Sequence, residues 1–383
     1  MRHATSFFIP SVFSLIIGLS CIYSCDSADN KVEVKNYTVG GIIKGAAGKL
    51  VFLTDKAFYN ESHPRDSVVA DASGHFLFKG TLTEPSYYAL SVQDVQGIVD
   101  LILENDSITV EGSVDSLWTA KVEGSKENDI HEEFIPFTGY FANQERFNAI
   151  EAAYDSASKA GDTTALARME REKKELSVSF KAAVKRFINK YPVSVTAVNN
   201  LVYFLDDDDL RQADSMLQGF EKSSIGNHKQ VQYFRKLIDR KKSLSIGSVA
   251  PDFEQPDSTG RVIKLSSLRN NFVLVDFWAS WCSPCRQENP NLVRIFNRFK
   301  HKGFTILSVS LDDDRAKWLR AVHKDQMQQW LHVGDLKGWS NAAAVQYGID
   351  GIPSSLLLDP TGTIIAKNLR GEALEKKVAS LYP

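Results

Sequence analysis

Residues 277–290, FWASWCSPCRQENP, hold the cysteine pair from which the fold of the second half of the chain can be read. Cys282 and Cys285 are two residues apart, a spacing shared by zinc sites, short structural disulfides and redox centres. A zinc site needs four ligands, and no second cysteine pair or histidine pair stands at ligand spacing. A structural disulfide across so short a loop would stabilise little, because the entropy removed grows with loop length. The pattern favours redox chemistry.

The cysteines stand where a predicted strand gives way to a predicted helix. VLVDFWASW, residues 273–281, is apolar, and the residues after Pro284 are helical in pattern. A thiolate at Cys282 would face the free N–H groups at the helix start, which lower its pKa. Cys285, one turn later, would then displace a mixed disulfide on Cys282. Pro284 suits the first turn, whereas Pro290 is expected to kink the helix.

Strand and helix patterns alternate from residue 246 to residue 383, which predicts an α/β domain with a parallel start and an antiparallel end. The predicted strands are NFVLVDFWA, FTILSVSL, WLHVGD, SSLLLD and TIIAKN.

The first half of the chain divides into a β-rich and a helical region. Residues 30–124 contain short β-rich runs separated by Gly, Asp, Asn, Ser and Pro, which predicts an all-β, sandwich-like domain. Residues 125–245 carry apolar residues three and four apart, which predicts helices. The aspartates at 206–209 are interpreted as a solvated helix cap. The chain is therefore predicted to be multidomain.

Residues 1–25 are predicted to be a lipoprotein signal peptide. An apolar run from Phe7 to Tyr23 follows a short basic start and precedes a polar segment. IYSC, ending at Cys25, is the favoured lipidation site, and GLSC, ending at Cys21, is the rival. Plain cleavage without a lipid, and a permanent transmembrane helix, remain alternatives.

Composition narrows the possible partners. The 383 residues include 45 basic and 47 acidic side chains, a net charge of −2 without a basic stripe, which argues against nucleic acid. The four cysteines are too few for a disulfide scaffold, and the eight histidines show no ligand spacing. We therefore expect no metal and no cofactor beyond the redox-active cysteine pair.

The segment FWASWCSPCRQENPNL resembles the active site of the thioredoxin-fold family, specifically the TlpA/ResA-like disulfide reductases of the AhpC/TSA-redoxin superfamily. APDF, SVSLD, YGIDGIPSSLLLDPTGTIIA and LRGEAL extend the resemblance over residues 246–383. The β-rich region is similar to a domain of unknown function common in exported bacterial proteins of this type. Asn270-Asn271 replaces the usual Gly-Lys turn, and Asn tolerates a left-handed backbone.

This resemblance implies catalytic roles for four residues. Cys282 matches the nucleophile and Cys285 the resolving cysteine. Pro353, in GIPSS, matches the cis-proline that faces them, although a proline that opens a strand is also compatible with a trans bond. Asp276 matches the buried acid that helps to deprotonate the resolving cysteine; an exposed carboxylate at a strand end is the alternative.

The resemblance also implies a fifth catalytic residue and a substrate groove. Glu288 matches an acid that tunes the cysteines and contacts substrate, with a solvated helix residue as the alternative. Trp281 and Ile352 are assigned to the substrate groove.

A reducing role is expected from the residues between the cysteines. Ser283 and Pro284 carry no charge, so only the helix and Arg286 would stabilise the Cys282 thiolate. The predicted signal peptide implies an exported, periplasm-facing lipoprotein that is anchored to a membrane, and the resemblance implies that it reduces disulfide-bearing exported proteins. It further implies a membrane electron donor and roles in cytochrome c maturation or redox homeostasis.

Two other functions remain open. The first is a thiol peroxidase, because peroxiredoxins resemble this domain overall. Peroxiredoxins, however, have a threonine that orients the peroxide three residues before the reactive cysteine, where this chain has Ala279. The remaining alternative is a partner-binding lipoprotein with secondary redox activity.

Overall fold

The computed structural model describes residues 36–58 and 61–382. The predicted signal peptide, with Cys21 and Cys25, lies outside the described residues. Within the described ranges no helix is both long enough and apolar enough to cross a membrane.

The β-rich region consists of two four-stranded sheets that share one core. The strand orders are β4-β1-β7-β8 and β3-β2-β5-β6. Alternation decides which side chains are buried: in HFLFKG, Phe76 and Phe78 point into the core while His75 and Lys79 are exposed. The strands are β1 Tyr37–Lys44, β2 Leu50–Phe58, β3 Glu61–Val69, β4 His75–Gly80, β5 Ser86–Val92, β6 Val99–Leu103, β7 Ser107–Ser113 and β8 Lys121–Glu123. The predicted all-β, sandwich-like region is confirmed.

The middle region is helical and has its own apolar core. Its first helix begins at an N-cap, where the Ser125 hydroxyl accepts from Asn128 N–H, and it ends at Gly139 in the left-handed conformation. The helices are α1 Lys126–Thr138, α2 Tyr140–Ala160, α3 Thr163–Lys190, α4 Val195–Asn199, α5 Leu210–Glu221 and α6 Lys229–Ser243.

Three of the four aspartates at 206–209 form ion pairs, so they are more than the solvated helix cap that the sequence indicated. Asp209 occupies the N-cap position of α5 without a side-chain capping bond. Lys181 Nζ instead lies 3.0 Å from Asp206 and 2.5 Å from Asp209, and Asp207 pairs with Lys367 at 2.8 Å.

The C-terminal region is a mixed sheet flanked by helices, with strand order β13-β12-β11-β14-β15. The three strands β13, β12 and β11 are parallel; β14 is antiparallel to β11, and β15 is antiparallel to β14. Its strands are β9 Glu254–Pro256, β10 Val262–Lys264, β11 Phe272–Trp278, β12 Phe304–Ser310, β13 Leu331–Val333, β14 Ser354–Leu358 and β15 Ile364–Lys367. Its helices are α7 Ser283–Phe299, α8 Arg315–Lys324, α9 Ala342–Gln346 and α10 Gly371–Ala379. The predicted α/β thioredoxin fold is confirmed.

The central strand β11 explains why the cysteines are where they are. Six of its seven residues are buried, as expected for a strand covered on both faces. Asn270, two residues before the strand, has a φ of 68°, a left-handed conformation that asparagine tolerates. At its other end β11 leads directly into α7.

Candidate active site

Cys282 and Cys285 lie at the start of α7 and form a disulfide, with their Cα atoms 5.3 Å apart. Cys282 is the N-cap residue, and its sulfur accepts a hydrogen bond from Cys285 N–H at 3.2 Å. Both cysteines are at least 96% buried. Pro284 stands in the first turn, and α7 continues through Pro290. The sulfur of Cys282 is therefore held against the positive end of a helix.

Arg286 does not present a free charge to the cysteines. Its guanidinium donates two hydrogen bonds to the Asp325 carboxylate, through Nε and, at 2.7 Å, through Nη2. Nη1 donates to the Ser280 carbonyl at 3.0 Å, and Asn289 also donates to Asp325 at 2.6 Å. Because Asp325 neutralises the guanidinium, the helix start remains the main field acting on Cys282.

Pro353 directly precedes β14, the strand that pairs with β11. The Ile352–Pro353 peptide bond is cis, and the Pro353 carbonyl accepts a hydrogen bond from Arg370. Ile352 is partly buried against the apolar core of the domain. Ser354, the first residue of β14, is in register with Phe277 near the end of β11. Ile352 and Pro353 therefore precede β14 at the edge of the sheet where β11 leads to the cysteines.

Asp276 is buried within β11, with 5% of its surface exposed. Burial raises the pKa of its carboxyl to about 7, and the nearby negative charge of Glu288 acts in the same direction. The Ser308 hydroxyl, which donates to Oδ2 at 3.2 Å, and the positive charge of Arg370 oppose that rise. A carboxyl of this kind exchanges a proton near neutral pH.

Glu288 joins α7 to the start of α10. Its Oε1 accepts from Gly371 N–H at 2.8 Å and from the Asn291 side chain at 2.6 Å. It is half-buried and contributes to the field at Asp276, so it is not a freely solvated helix residue.

Trp281 is exposed beside the cysteines and has an aromatic neighbour. Its ring centroid lies 6.0 Å from that of Trp339, and the two residues are 53% and 48% exposed. Trp339 belongs to the short 3₁₀ turn Gly338–Ser340 that follows β13. The pair forms an apolar surface next to Cys282.

Four residues at the site escaped the sequence reasoning: Ser308, Asp325, Trp339 and Arg370. Each lies on a different element from the cysteine motif and is brought to it only by the folded sheet. Of these four residues, only Trp339, the aromatic residue in LKGWS, carries a local signal in the sequence that could have suggested a place at the site. Among the described residues, no group of three His, Cys, Asp or Glu side chains is placed to hold a metal ion.

Two protein families match the chain. The AhpC/TSA family matches residues 246–367, and a domain of unknown function, DUF4369, matches residues 37–130. The two matches fall on the α/β region and on the β-rich region.

Individual relatives each match about a third of the chain. The thiol-disulfide oxidoreductase ResA of Bacillus subtilis is 29% identical over 132 residues, which are 34% of this chain and 72% of that protein. Among solved structures, the thioredoxin domain of a thiol-disulfide oxidoreductase from Bacteroides vulgatus is 40% identical, with a TM-score of 0.35. The match covers 37% of this chain and 100% of that one.

A thiol:disulfide interchange protein DsbE from Chlorobium tepidum is 33% identical, with a TM-score of 0.32; the match covers 36% of this chain and 96% of that one. The chain therefore contains an AhpC/TSA-family domain at residues 246–367 and a DUF4369 domain at residues 37–130, and it is a homologue of the ResA thiol-disulfide oxidoreductases.

Proposed function

We propose that the protein reduces disulfide bonds of exported proteins, with Cys282 and Cys285 as its dithiol. The observation that carries this direction is the pairing of Arg286 with Asp325. A strong oxidant needs a heavily stabilised thiolate, which makes its own disulfide unstable. With the guanidinium neutralised and no charge on Ser283 or Pro284, Cys282 keeps mainly the stabilisation that the helix start supplies.

The reaction proceeds in two displacements. The Cys282 thiolate attacks one sulfur of the substrate disulfide, forming a mixed disulfide and releasing the first substrate thiolate. Cys285 then loses its proton and attacks the Cys282 sulfur, which forms the Cys282–Cys285 disulfide and releases the second substrate thiolate. Two electrons pass from the dithiol to the substrate, and a thiol donor must supply them again.

Asp276 is the proposed acceptor of the Cys285 proton, supported by its burial and by its pKa of about 7. Glu288 is the proposed positioning residue, because it ties α7 to α10 and raises the pKa of Asp276 through its charge. Pro353, in its cis form, is the proposed partner of the substrate backbone beside the cysteines.

The substrate groove is proposed to run over Trp281 and Ile352. Trp339 extends the apolar surface next to Trp281. Aromatic side chains contribute large contact areas at low conformational cost, which suits the binding of unrelated protein segments.

The cellular setting is proposed from the sequence. Residues 1–25 have the pattern of a lipoprotein signal with Cys25 as the lipid site, and the DsbE relative is named as an interchange protein. We therefore place the protein on a membrane, facing the periplasm, with a membrane electron donor and with apocytochrome c or misoxidised exported proteins as substrates. Residues 30–124, 125–245 and 246–383 are the proposed domains.

A trapping experiment tests the proposed function. The variant Cys285→Ser, once reduced, should accumulate a mixed disulfide through Cys282 with an exported protein that carries a disulfide, whereas Cys282→Ser should trap nothing. Both replacements are buried and isosteric, so each variant controls for the fold of the other. The mechanism is contradicted if only the Cys282→Ser variant traps a substrate, through Cys285, or if neither variant traps one.

The peroxidase alternative makes a separate prediction. Ala279 is fully buried and has no hydroxyl to orient a peroxide, so we expect the reduced protein to consume hydrogen peroxide no faster than dithiothreitol alone.

A further inference from the structure

A row of buried polar side chains crosses the C-terminal sheet at Asp276. Asp276 on β11 is in register with Ser308 on β12, and Ser308 is in register with His332 on β13. In parallel strands, residues in register point to the same face of the sheet. Asp276 and Ser308 are at least 95% buried. Their polar groups must therefore find hydrogen-bond partners within the protein.

The Ser308 hydroxyl has two hydrogen-bond partners, one that donates to it and one that accepts from it. Trp330 Nε1 lies 3.0 Å from Ser308 Oγ, and an indole N–H can only donate. The hydroxyl oxygen is therefore the acceptor of that bond. A serine hydroxyl has a single proton, and Asp276 Oδ2 lies 3.2 Å away to receive it.

We propose that Ser308, oriented by Trp330, is a positioning residue that aims its hydroxyl proton at Asp276 and so sets the pH at which the Asp276 carboxylate is available. This inference rests on the proposed role of Asp276 as the proton acceptor. A hydrogen bond donated to a carboxylate favours the ionised form. Without it, burial alone would keep the carboxyl protonated to higher pH.

The other groups that act on Asp276 are accounted for. Glu288 on α7 and Arg370, just before α10, act on it with opposite charges. His332, on the same row, is partly buried, and desolvation lowers its pKa to about 4, so it is neutral where the dithiol works. Cys285 supplies the proton in the proposed mechanism. None of these groups changes when Ser308 is replaced.

The test is the titration of the Asp276 carboxyl by ¹³C NMR in the oxidised protein, with Asp276→Asn to assign the signal. In Ser308→Ala we expect the midpoint to rise by about one pH unit, since a hydrogen bond to a charged group is worth about that much. Trp330→Phe keeps a ring against Phe296 but frees the hydroxyl to turn away. Its midpoint should rise by a smaller amount.

Ser310→Ala is the matched control. Ser310 lies two residues further along β12, is equally buried, and donates to Asp312 at 2.8 Å rather than to Asp276. Its midpoint should equal that of the unaltered protein. An unchanged midpoint in Ser308→Ala overturns the inference, and an unchanged midpoint in Trp330→Phe overturns the orienting role of Trp330.

A kinetic measurement separates this inference from the proposed function. The reduced protein is mixed with 5,5′-dithiobis(2-nitrobenzoate), and the second release of thionitrobenzoate reports the attack by Cys285. The pH midpoint of that step should move with the carboxyl midpoint in every variant. If the carboxyl midpoint moves in Ser308→Ala and the rate midpoint does not, the Ser308 bond stands and the role of Asp276 as proton acceptor is refuted.

Discussion

At the residue scale, the buried carboxyl of Asp276 links function to stability. Its pKa is raised from 3.8 to about 7, so the folded state binds the proton more tightly than the unfolded state. The stability contribution is complete below pH 4 and is lost as the pH rises through 7. Above pH 7 the ionised carboxylate costs about 4 kcal/mol, from about three pKa units.

Asp276→Asn should abolish this pH dependence. We expect the variant to gain about 4 kcal/mol over the unaltered protein at pH 8 and almost nothing at pH 4. Urea unfolding of the oxidised C-terminal domain at both pH values measures the difference. Asp313→Asn, at an exposed aspartate of the same domain, is the control. Parallel stability curves for Asp276→Asn and the unaltered protein would show that the carboxyl is not perturbed.

Asp325 controls the charge next to the cysteines. Asp325→Asn should leave the Arg286 guanidinium uncompensated one residue from Cys285, which stabilises the Cys282 thiolate and makes the couple more oxidising. We therefore expect the reduction potential of the Cys282–Cys285 couple to become less negative. A shift of about 30 mV corresponds to a tenfold change in the equilibrium constant between the dithiol and the disulfide. The measurement is equilibration in glutathione buffers, with Asp313→Asn as control. A potential unchanged by Asp325→Asn would remove the main support for the reducing direction.

At the element scale, the loop between α9 and β14 leads to Pro353 and is shaped by Gly348. Gly348 has a φ of 60°, and a Cβ there would lie 3.1 Å from Arg240 Nε of α6. Gly348→Ala should destabilise the protein by about 1–2 kcal/mol, the cost of a left-handed alanine. Gly351, in the same loop, has an ordinary φ and open space around its Cα.

Gly351→Ala is therefore the control and should change stability by less than about 0.5 kcal/mol. Thermal unfolding of both variants measures the difference. Equal melting temperatures for the two variants would show that the Gly348 backbone is not constrained.

The elements that the sequence predicted are those with clear apolar periodicity. HFLFKG and SITVEG alternate and form β4 and β7. The strand β3, ESHPRDSVV, has no such pattern, because it carries charges and a proline, which suit an edge strand better than a core strand. LWT, an apolar stretch of the same region, belongs to a 3₁₀ helix, Val114–Thr119, because apolar side chains alone do not distinguish a strand from such a helix.

The prediction of the site residues from the sequence is limited in a similar way. The cysteines, Asp276 and Trp281 share one continuous motif, so local sequence suffices to propose them. Ser308 and Asp325 contact that motif only because β12 and the end of α8 lie beside it. Their polarity is ordinary in the sequence, and nothing local indicates the contact.

At the scale of the whole molecule, the helical region is attached to the C-terminal domain more firmly than a linker would be. Leu244, directly after α6, is buried in the C-terminal core. Gly247 N–H donates to the Ile364 carbonyl at 2.8 Å, and Ile364 N–H donates to the Ser248 carbonyl at 2.8 Å. The segment after α6 is thus paired with the edge strand β15.

The stability of a C-terminal fragment should therefore depend on the residue at which the fragment begins. We expect a fragment from Ser243 to be more stable than one from Ile246 by about 2–3 kcal/mol, the value of one buried leucine side chain. Urea unfolding of the two fragments measures the difference. A third fragment, from Ser243 with Leu244→Ala, should match the shorter one. Equal stability of all three would show that Leu244 contributes nothing to the domain.

The reduction potential of the Cys282–Cys285 couple tests the central claim most directly. It is measured in the full chain without residues 1–25, equilibrated in dithiothreitol and glutathione buffers. We predict a two-electron couple near about −270 mV, the value of a reducing thioredoxin. A potential near about −120 mV, typical of a strong oxidant, would contradict the proposed direction and make the protein a disulfide donor.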